Sequence, residues 1–325
     1  RYIEGSVVGS EMRIIVIGAG ALGSLVGGIL SKRHDVTVIG RPSQVEVLNQ
    51  KGIKIQGLTR GEYHPRALVE LPEGERFDLI ILCVKSYNTD LTLGPMSKIM
   101  NEDTWILSLQ NGLDNEERIK DFLRRNSLPG RIMGGITCHG VTYKGPGLVK
   151  HAGKGDTMIG DFDGGGSAGQ TEEIRRIAQH FKKAGMDVDV VDSIDREIWA
   201  KTIINSVINP ITAITGKRNG ILVENLALKE IARQLIREGV AVAKAYGLDI
   251  TEEEMVERTM GVAARTASNR SSMLQDIMRK RRTEIDSING AIYHKGKEVG
   301  MDSPVNWSMY KMVRGMEDSY LEGDP

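Results

Sequence analysis

Lys201, Asn205 and Asn209 are spaced four residues apart in a stretch that is otherwise largely apolar. On a helix this spacing places the three side chains on one face, and the isoleucines and valines between them predict that the helix is mainly buried. A buried ammonium group and two buried carboxamides need hydrogen-bond partners, because leaving them unpaired is costly. A small polar substrate in a cavity would supply such partners. Water or the backbone of another domain would also do so, and the spacing alone does not decide between them.

A glycine-rich turn offers a second place for chemistry. Gly18, Gly20 and Gly23 follow an apolar run at residues 13–17, and a helix of small residues and a strand at 35–39 come next. In such a β-α-β unit the glycines allow a tight turn, close approach of the backbone to a pyrophosphate, and close packing of helix on strand. The helix N-terminus favours phosphate. We therefore expect a dinucleotide, rather than mere packing, at Gly18, Ala19, Gly20, Ala21, Leu22 and Gly23.

Two cations favour NADP(H) over NAD(H). NAD-binding units usually carry Asp or Glu at the end of the second strand, whereas this chain has Arg41 near that position. An arginine there can stack on adenine and pair with a 2′-phosphate. Lys85, just past a strand at 77–84, can reach the same phosphate or the ribose. The alternative for each cation is a solvated loop residue.

Asn111 follows a strand at 105–109, at the sheet edge where open α/β sheets bind ligands. It can contact the nicotinamide or a reacting carbonyl, or it can simply form the turn before Gly112.

The pattern of elements predicts an α/β half followed by an all-α half. We expect further strands at 132–138 and 186–191, helices at 115–125 and 170–184, antiparallel hairpins over 141–160, and a strand pair formed by 53–56 and 66–71. After Asp192 helical periodicity takes over, with segments at 195–209, 224–246, 251–267, 272–280 and 284–296. The fold class is thus an N-terminal Rossmann-type sheet with an all-α C-terminal domain. The expected parts are a tail at 1–11, an NADP-binding domain at 12–191, and a helical substrate and catalytic domain at 192–325.

Composition excludes several classes of protein. Lys+Arg and Asp+Glu are both 43, so the zero formal charge argues against a nucleic acid as main partner. The two cysteines form no disulfide framework or metal site, and no apolar run is long enough to span a membrane. The first eleven residues lack the apolar core of a secretory signal, so we expect a cytoplasmic protein.

Several motifs occur together and in a fixed order from about Met12 onward: the Gly18–Gly23 turn, Arg41, Val84-Lys85, Gln110-Asn111-Gly112, Lys201-x3-Asn205-x3-Asn209-Pro210, Asn269-Arg270-Ser271-Ser272-Met273-Leu274-Gln275-Asp276 and Thr283-Glu284-Ile285-Asp286. In this combination the chain resembles the ketopantoate reductase family. The resemblance implies a Rossmann domain, a helical domain like that of 6-phosphogluconate dehydrogenase, and NADPH-dependent reduction of 2-dehydropantoate to (R)-pantoate in pantothenate biosynthesis.

The resemblance also implies roles for single residues. Lys201 would be the general acid, and Glu284 would lie at the junction of substrate and cofactor. The substrate's carboxylate and hydroxyl groups would be held by Asn205, Asn209, Asn219 and Ser272. The chemistry agrees, since hydride addition to a ketone leaves an alkoxide that a protonated lysine can stabilise and protonate. A nearby carboxylate would help to keep that lysine charged.

Structural alternatives remain for some of these residues. Ser272 with Gln275, and Thr283 with Asp286, have the spacing of helix capping boxes. Asn219 precedes Gly220 in a typical turn dipeptide. The basic run at 279–282 departs from the family pattern and is either a solvated face or a contact to the cofactor's phosphate. A glycine-rich loop at 161–170 resembles a tolerated surface insertion.

Two rival functions stay open. One is a reductase of a different small branched 2-oxoacid, because the sequence gives no pocket volume. The other is a non-enzymatic NADPH-binding sensor, against which the joint presence of Lys201, Asn205, Asn209 and Glu284 argues. The apolar residues Trp307, Met309, Tyr310 and Met312 would cover either the core or a second copy of the chain in a homodimer.

Overall fold

The computed structural model describes residues 11–162 and 168–321. Most of the predicted tail at 1–11 and the centre of the predicted glycine loop therefore lie outside the described residues. The chain divides into two units, one made of Arg1–Gln110 with Asn115–Ile194 and the other of Asn111–Asp114 with Asp195–Pro325.

The first unit contains two sheets and five α-helices among its described residues. Its strands are β1 Arg13–Ile17, β2 Asp35–Ile39, β3 Ile53–Gly57, β4 Gly61–Tyr63, β5 Arg66–Leu68, β6 Leu79–Leu82, β7 Trp105–Ser108, β8 Arg131–Thr137, β9 Gly140–Gly145, β10 Leu148–Gly153, β11 Thr157–Asp161 and β12 Asp189–Val190. Its helices are α1 Ala21–Leu30, α2 Pro42–Lys51, α3 Thr89–Met96, α4 Asn115–Arg125 and α5 Ala168–Ala184.

The larger sheet has the order β12-β11-β8-β7-β6-β1-β2-β5, and only the pairing of β8 with β11 is antiparallel. The chain leaves β1 towards β2 on one side and later returns to β6 on the other side. Between β1 and β6 the strand order thus reverses. Open α/β sheets bind ligands outside the carboxyl ends of the strands at such a point.

The central strands are buried on both faces, as expected for a parallel sheet covered by helices. Ile14 and Val16 of β1 pack into a core with the residues of α1 and α5, whereas Ile15 and Ile17 pack into a second core with residues of α3 and α4. The continuous apolar run of β1 reflects this two-sided burial.

The predicted pairing of 53–56 with 66–71 is wrong. β3 pairs instead with β4 and with β10, in a separate sheet of order β4-β3-β10-β9. β5 is the edge strand of the larger sheet beside β2. The predicted hairpins over 141–160 are confirmed only for β9 and β10, since β11 pairs with β8.

The second unit is helical in its described part. It contains α6 Ile194–Thr215, α7 Ile221–Glu224, α8 Leu226–Ala245, α9 Glu252–Arg265, α10 Ser272–Met278, α11 Ala291–Glu298 and α12 Pro304–Leu321, of which α7 and α12 were not predicted. The predicted helix at 284–296 is interrupted, because Asp286–Gly290 forms a π-helical turn before α11. The Rossmann-type sheet and the helical unit confirm the predicted fold class.

Helix α6 is anchored at its start and along its length. Arg196 donates from Nη2 to both carboxylate oxygens of Glu254 in α9 at 2.7 Å, and Arg258 pairs with Glu197 at 3.0 Å. A Cβ on Gly239 of α8 would lie 2.9 Å from Ile203, so glycine allows α8 to pack closely against α6. Across the described residues, every helix is too short or too polar to cross a bilayer.

Candidate functional site

The glycine turn after β1 is built by two close backbone approaches. Gly18 has φ +117°, a conformation that favours glycine, and its N–H donates to the Ile39 carbonyl at 2.9 Å. A Cβ on Gly23 would lie only 1.8 Å from the Gly18 carbonyl oxygen. A Cβ on Gly20 would meet no protein atom within 4 Å. The first and third glycines thus serve the fold, whereas the space beside Gly20 is open to a ligand at the start of α1.

Arg41 directly precedes α2 and is exposed. Its N–H donates to Gln44 Oε1 at 3.0 Å, and its Nε lies 3.5 Å from the same oxygen. Gln44 in turn donates from Nε2 to the Ala19 carbonyl at 2.7 Å, so one buried side chain joins Arg41 to the glycine turn. Sequence reasoning missed Gln44. The signal was present, since a glutamine three residues after the cap with proline between them is typical of a helix start.

Lys85 follows β6 and is half-buried before a short 3₁₀ turn at Ser86–Asn88. The neighbouring strand ends are joined by Gln110, whose Nε2 donates to the Val84 carbonyl at 3.0 Å and to Thr89 Oγ1 at 2.8 Å. The ends of β1, β2 and β6 therefore present the glycine turn, Arg41 and Lys85 from one unit. Gly18, Gly20 and Gly23 together with these cations fit a dinucleotide by shape and charge.

In the second unit, Lys201, Asn205 and Asn209 lie on the single helix α6 and so share a face. Lys201 and Asn205 are half-buried, and Asn209 is buried at 4% exposure. The residues between them are buried throughout. The prediction of a polar stripe on a buried helix is confirmed, and the helix extends past Asn209 to Thr215.

Asn111 also belongs to the second unit, where its Nδ2 donates to Glu284 Oε2 at 3.0 Å. Glu284 is only 5% exposed. The backbone next to this pair is fixed, because the Leu113 N–H donates to the Ser287 carbonyl at 3.2 Å and Gly112 adopts φ +109°. A Cβ on Gly112 would lie 2.5 Å from Ser287 Cβ, so only glycine fits here. The structure therefore joins two predicted site residues that are far apart in the chain.

Asn219 is buried in the turn before α7. Its Nδ2 donates to Thr266 Oγ1 at 2.9 Å, and its N–H donates to the Asn269 carbonyl at 3.0 Å. Its Oδ1 is buried and has no hydrogen-bond partner among the described residues. A buried acceptor of this kind calls for a donor from elsewhere, and a substrate hydroxyl is such a donor.

Both capping alternatives are wrong in detail. The cap of α10 is Ser271, whose Oγ accepts from the Leu274 N–H at 3.0 Å, while Ser272 is exposed in the first turn. Thr283 Oγ1 accepts from the Ile285 N–H at 3.2 Å and not from Asp286.

The basic run at 279–282 is exposed, and the Arg281 carbonyl accepts from the Tyr320 hydroxyl at 2.8 Å. Arg282 pairs with Asp286 at 3.0 Å within the second unit.

Two family models match the chain. The model for ketopantoate reductase PanE/ApbA matches residues 14–164, and the model for its C-terminal part matches residues 193–317. The 2-dehydropantoate 2-reductase of Pyrococcus horikoshii is 42% identical over 309 residues, which are 94% of this chain and 98% of the relative.

Solved structures agree in fold. A PanE/ApbA family ketopantoate reductase from Ralstonia eutropha has a TM-score of 0.83 at 29% identity, covering 94% of this chain and 99% of that one. D-mandelate dehydrogenase in a ternary structure with NADH and anilino(oxo)acetate has a TM-score of 0.87 at 26% identity, with the same coverage of both chains.

Proposed function

The chain belongs to the ketopantoate reductase family, and on this basis we propose that it catalyses the NADPH-dependent reduction of 2-dehydropantoate to pantoate in pantothenate biosynthesis. One observation carries the proposal most strongly. A lysine and two asparagines share one face of the buried helix α6, in a unit that also holds the buried Glu284 bonded to the half-buried Asn111. A unit that served only to bind a cofactor would need no such proton donor.

The chain's own residues handle the proton and the substrate. Bound NADPH supplies the hydride that reduces the ketone carbon. Lys201, in its ammonium form, stabilises the negative charge that develops on the ketone oxygen and donates the proton that completes the alcohol. A carboxylate close to Lys201 favours its charged form, and the proposal assigns this role to the buried Glu284, which the Asn111 amide holds.

Asn205 and Asn209 bind the substrate's carboxylate and hydroxyl groups from the same helix face as Lys201. Asn219 adds a buried acceptor, Oδ1, for a substrate hydroxyl, and the exposed Ser272 adds a hydroxyl of its own. A site that hydrogen-bonds a substrate hydroxyl rejects analogues that lack it, because its buried polar groups would be left unpaired.

The choice of NADPH over NADH rests on charge at the end of β2. No carboxylate stands there, and the exposed Arg41 guanidinium is held beside the glycine turn through Gln44. An arginine in this position can bind a 2′-phosphate with two parallel hydrogen bonds, and Lys85 can add a second positive charge.

A second candidate is the reduction of a different 2-oxoacid. The similarity to D-mandelate dehydrogenase favours it, because that protein shares the fold across both units and, by its name, acts on a 2-hydroxy acid with an aromatic side chain. Lys201 and the asparagines would serve either substrate, since the chemistry at the 2-oxo group is the same.

Steady-state oxidation of NADPH, followed by absorbance with a panel of 2-oxoacids, separates these candidates. We expect 2-dehydropantoate to give the highest kcat/KM, and phenylglyoxylate and small branched 2-oxoacids without a hydroxyl to be poor substrates. A preference for another 2-oxoacid would support the second candidate. Tight NADPH binding without turnover of any 2-oxoacid in the panel would point to a non-enzymatic NADPH-binding sensor.

A further inference from the structure

Helix α6 contains a proline at a position where it leaves a buried carbonyl without its usual partner. In an α-helix each carbonyl accepts from the N–H four residues later, and Pro210 has no N–H. The carbonyl affected is that of Ser206, a residue with 0% exposure. A buried carbonyl without a donor is costly, so another group must supply one.

Asn289 supplies that donor. Its Nδ2 donates to the Ser206 carbonyl at 2.9 Å, and the second hydrogen of the same group is donated to Asn306 Oδ1 at 3.0 Å. Asn289 is fully buried, and its Oδ1 has no partner among the described residues. Asn289 therefore contributes two hydrogen-bond donors, one to Ser206 and one to Asn306.

The network behind Asn289 fixes its orientation. Asn306 donates from Nδ2 to Glu238 Oε2 at 2.9 Å, which leaves its Oδ1 as the acceptor for Asn289. Glu238 of α8 also accepts the backbone N–H groups of Val305 and Asn306 at 2.9 Å, at the start of α12. Asn289, the donor to α6, is thus held through Asn306 of α12 and Glu238 of α8.

Asn289 lies on the π-helical turn that follows Glu284. This turn is closed by the Gly290 N–H bond to the Ile285 carbonyl at 3.0 Å, and its Ser287 carbonyl accepts from the N–H of Leu113, two residues after Asn111. A single five-residue turn therefore bonds both to α6 and to the loop that bears Asn111. Turns of this type often occur at functional sites.

We propose that Asn289 is a positioning residue for the reaction: by replacing the donor that Pro210 lacks, it sets the turn of α6 between Asn205 and Asn209 relative to the Glu284–Asn111 pair. The inference rests on the proposed function for the roles of those residues. Asn289 is assigned no contact with substrate or cofactor and acts through the backbone of α6.

A double-mutant cycle tests this link. In the parental chain, Asn289→Ala should lower kcat/KM for 2-dehydropantoate about tenfold, because a buried carbonyl loses its donor and the turn shifts. In a Pro210→Ala background the helix regains its own N–H donor, so Asn289→Ala should lower kcat/KM less than about twofold there. The KM for NADPH should change less than about twofold in all variants, since the cofactor turn lies on the other unit.

Amide hydrogen exchange in residues 203–212 gives a readout that does not need turnover. Asn289→Ala should speed exchange there by about tenfold or more, and Pro210→Ala should suppress that increase. Thr259→Val, which removes a buried hydroxyl of α9 that has no partner among the described residues, is the control and should change neither readout.

If Asn289→Ala lowers kcat/KM and speeds amide exchange to the same extent in both backgrounds, the proposal is overturned and Asn289 is part of a general polar core. If the Asn289→Ala chain does not fold, a folded Pro210→Ala/Asn289→Ala chain supports the proposal. A double variant that also does not fold overturns it. Absence of 2-dehydropantoate turnover in the parental chain would contradict the proposed function alone, because the exchange result tests Asn289 separately.

Discussion

Arg41 occupies the place where NAD-binding units usually carry an acidic side chain for the ribose hydroxyls. Its backbone and its side chain both lie against Gln44 Oε1, and Gln44 also holds the glycine turn through the Ala19 carbonyl. The guanidinium is exposed, but Gln44 holds the Arg41 backbone and Nε. The side chain therefore has less conformational entropy to lose on binding an anion. At the scale of single residues, the proposed preference for NADPH depends on this pair.

Arg41→Ala should raise the KM for NADPH about tenfold or more, because hydrogen bonds between charged groups contribute more than neutral ones. The KM for NADH should change by less than about twofold, since NADH has no 2′-phosphate. Initial rates with both cofactors measure this. Lys51→Ala, which removes another exposed cation of α2, is the matched control. Equal losses for the two cofactors would show that Arg41 does not bind the phosphate.

Several site residues could be predicted from type and spacing, and others could not. The four-residue spacing of Lys201, Asn205 and Asn209 was sufficient to predict one helix face. The bond from Asn111 to Glu284 was not predictable, because it joins residues 173 positions apart. The cap of α10 was misassigned by one residue since Ser271 and Ser272 are equivalent in type.

Among the elements, the turn between β1 and α1 shows how three glycines of one motif differ in their purpose. Gly23 is required by the fold, since a Cβ there would lie 1.8 Å from the Gly18 carbonyl oxygen. Gly20 is not, because a Cβ there would meet no protein atom within 4 Å, and its φ of −80° suits any residue. Its small size is instead expected to serve the ligand.

Gly20→Ala should leave the Tm of the cofactor-free chain within about 2 °C of the parental value. It should raise the Kd for NADPH about tenfold, which corresponds to about 1.4 kcal/mol, because the methyl group takes up space for the pyrophosphate. Gly23→Ala should lower the Tm by about 3–10 °C through its backbone clash. Thermal melts and fluorescence titration measure both. A larger Tm loss from Gly20→Ala than from Gly23→Ala would contradict this division.

Element prediction succeeded where the signal is local. Continuous apolar runs identified β1, β2, β6 and β7, and three- and four-residue periodicity identified most helices. Pairing of β3 with β10 and of β5 with β2 was missed, because short strands carry no local signal for a distant partner. The π-helical turn at Asp286–Gly290 was missed because one extra residue in a turn leaves helical periodicity almost unchanged.

At the scale of the whole molecule, four histidines couple the stability of the first unit to pH. Burial lowers the pKa of His34, His139, His151 and His180 from the ordinary value. His34 lies edge-on to His180 at 5.0 Å, and His151 Nε2 lies 3.0 Å from His139 Nδ1. A lowered pKa means that the unfolded chain binds these protons more readily. The histidines' contribution to stability is therefore fully present above about pH 6.5 and is lost as pH falls through the lowered values.

The Tm should accordingly decrease between pH 7.5 and pH 5, a range in which the carboxylates are still largely ionised. His34→Gln should make the decrease smaller, because a neutral amide has no proton to gain. His64→Gln, at an exposed position, is the control and should leave the pH profile unchanged. Thermal melts across this range test the idea, and an unaltered slope for His34→Gln would argue against it.

Reduction of 2-dehydropantoate by this chain, with the proton supplied by Lys201, is the central proposal for the whole molecule. The most direct measurement is NADPH oxidation with 2-dehydropantoate, with pantoate quantified by mass spectrometry, for the parental chain, Lys201→Ala and the exposed-site control Lys217→Ala. We predict equimolar pantoate from the parental and control chains and a kcat about 10²- to 10⁴-fold lower for Lys201→Ala. No pantoate from the parental chain, or parental turnover by Lys201→Ala, would contradict the claim.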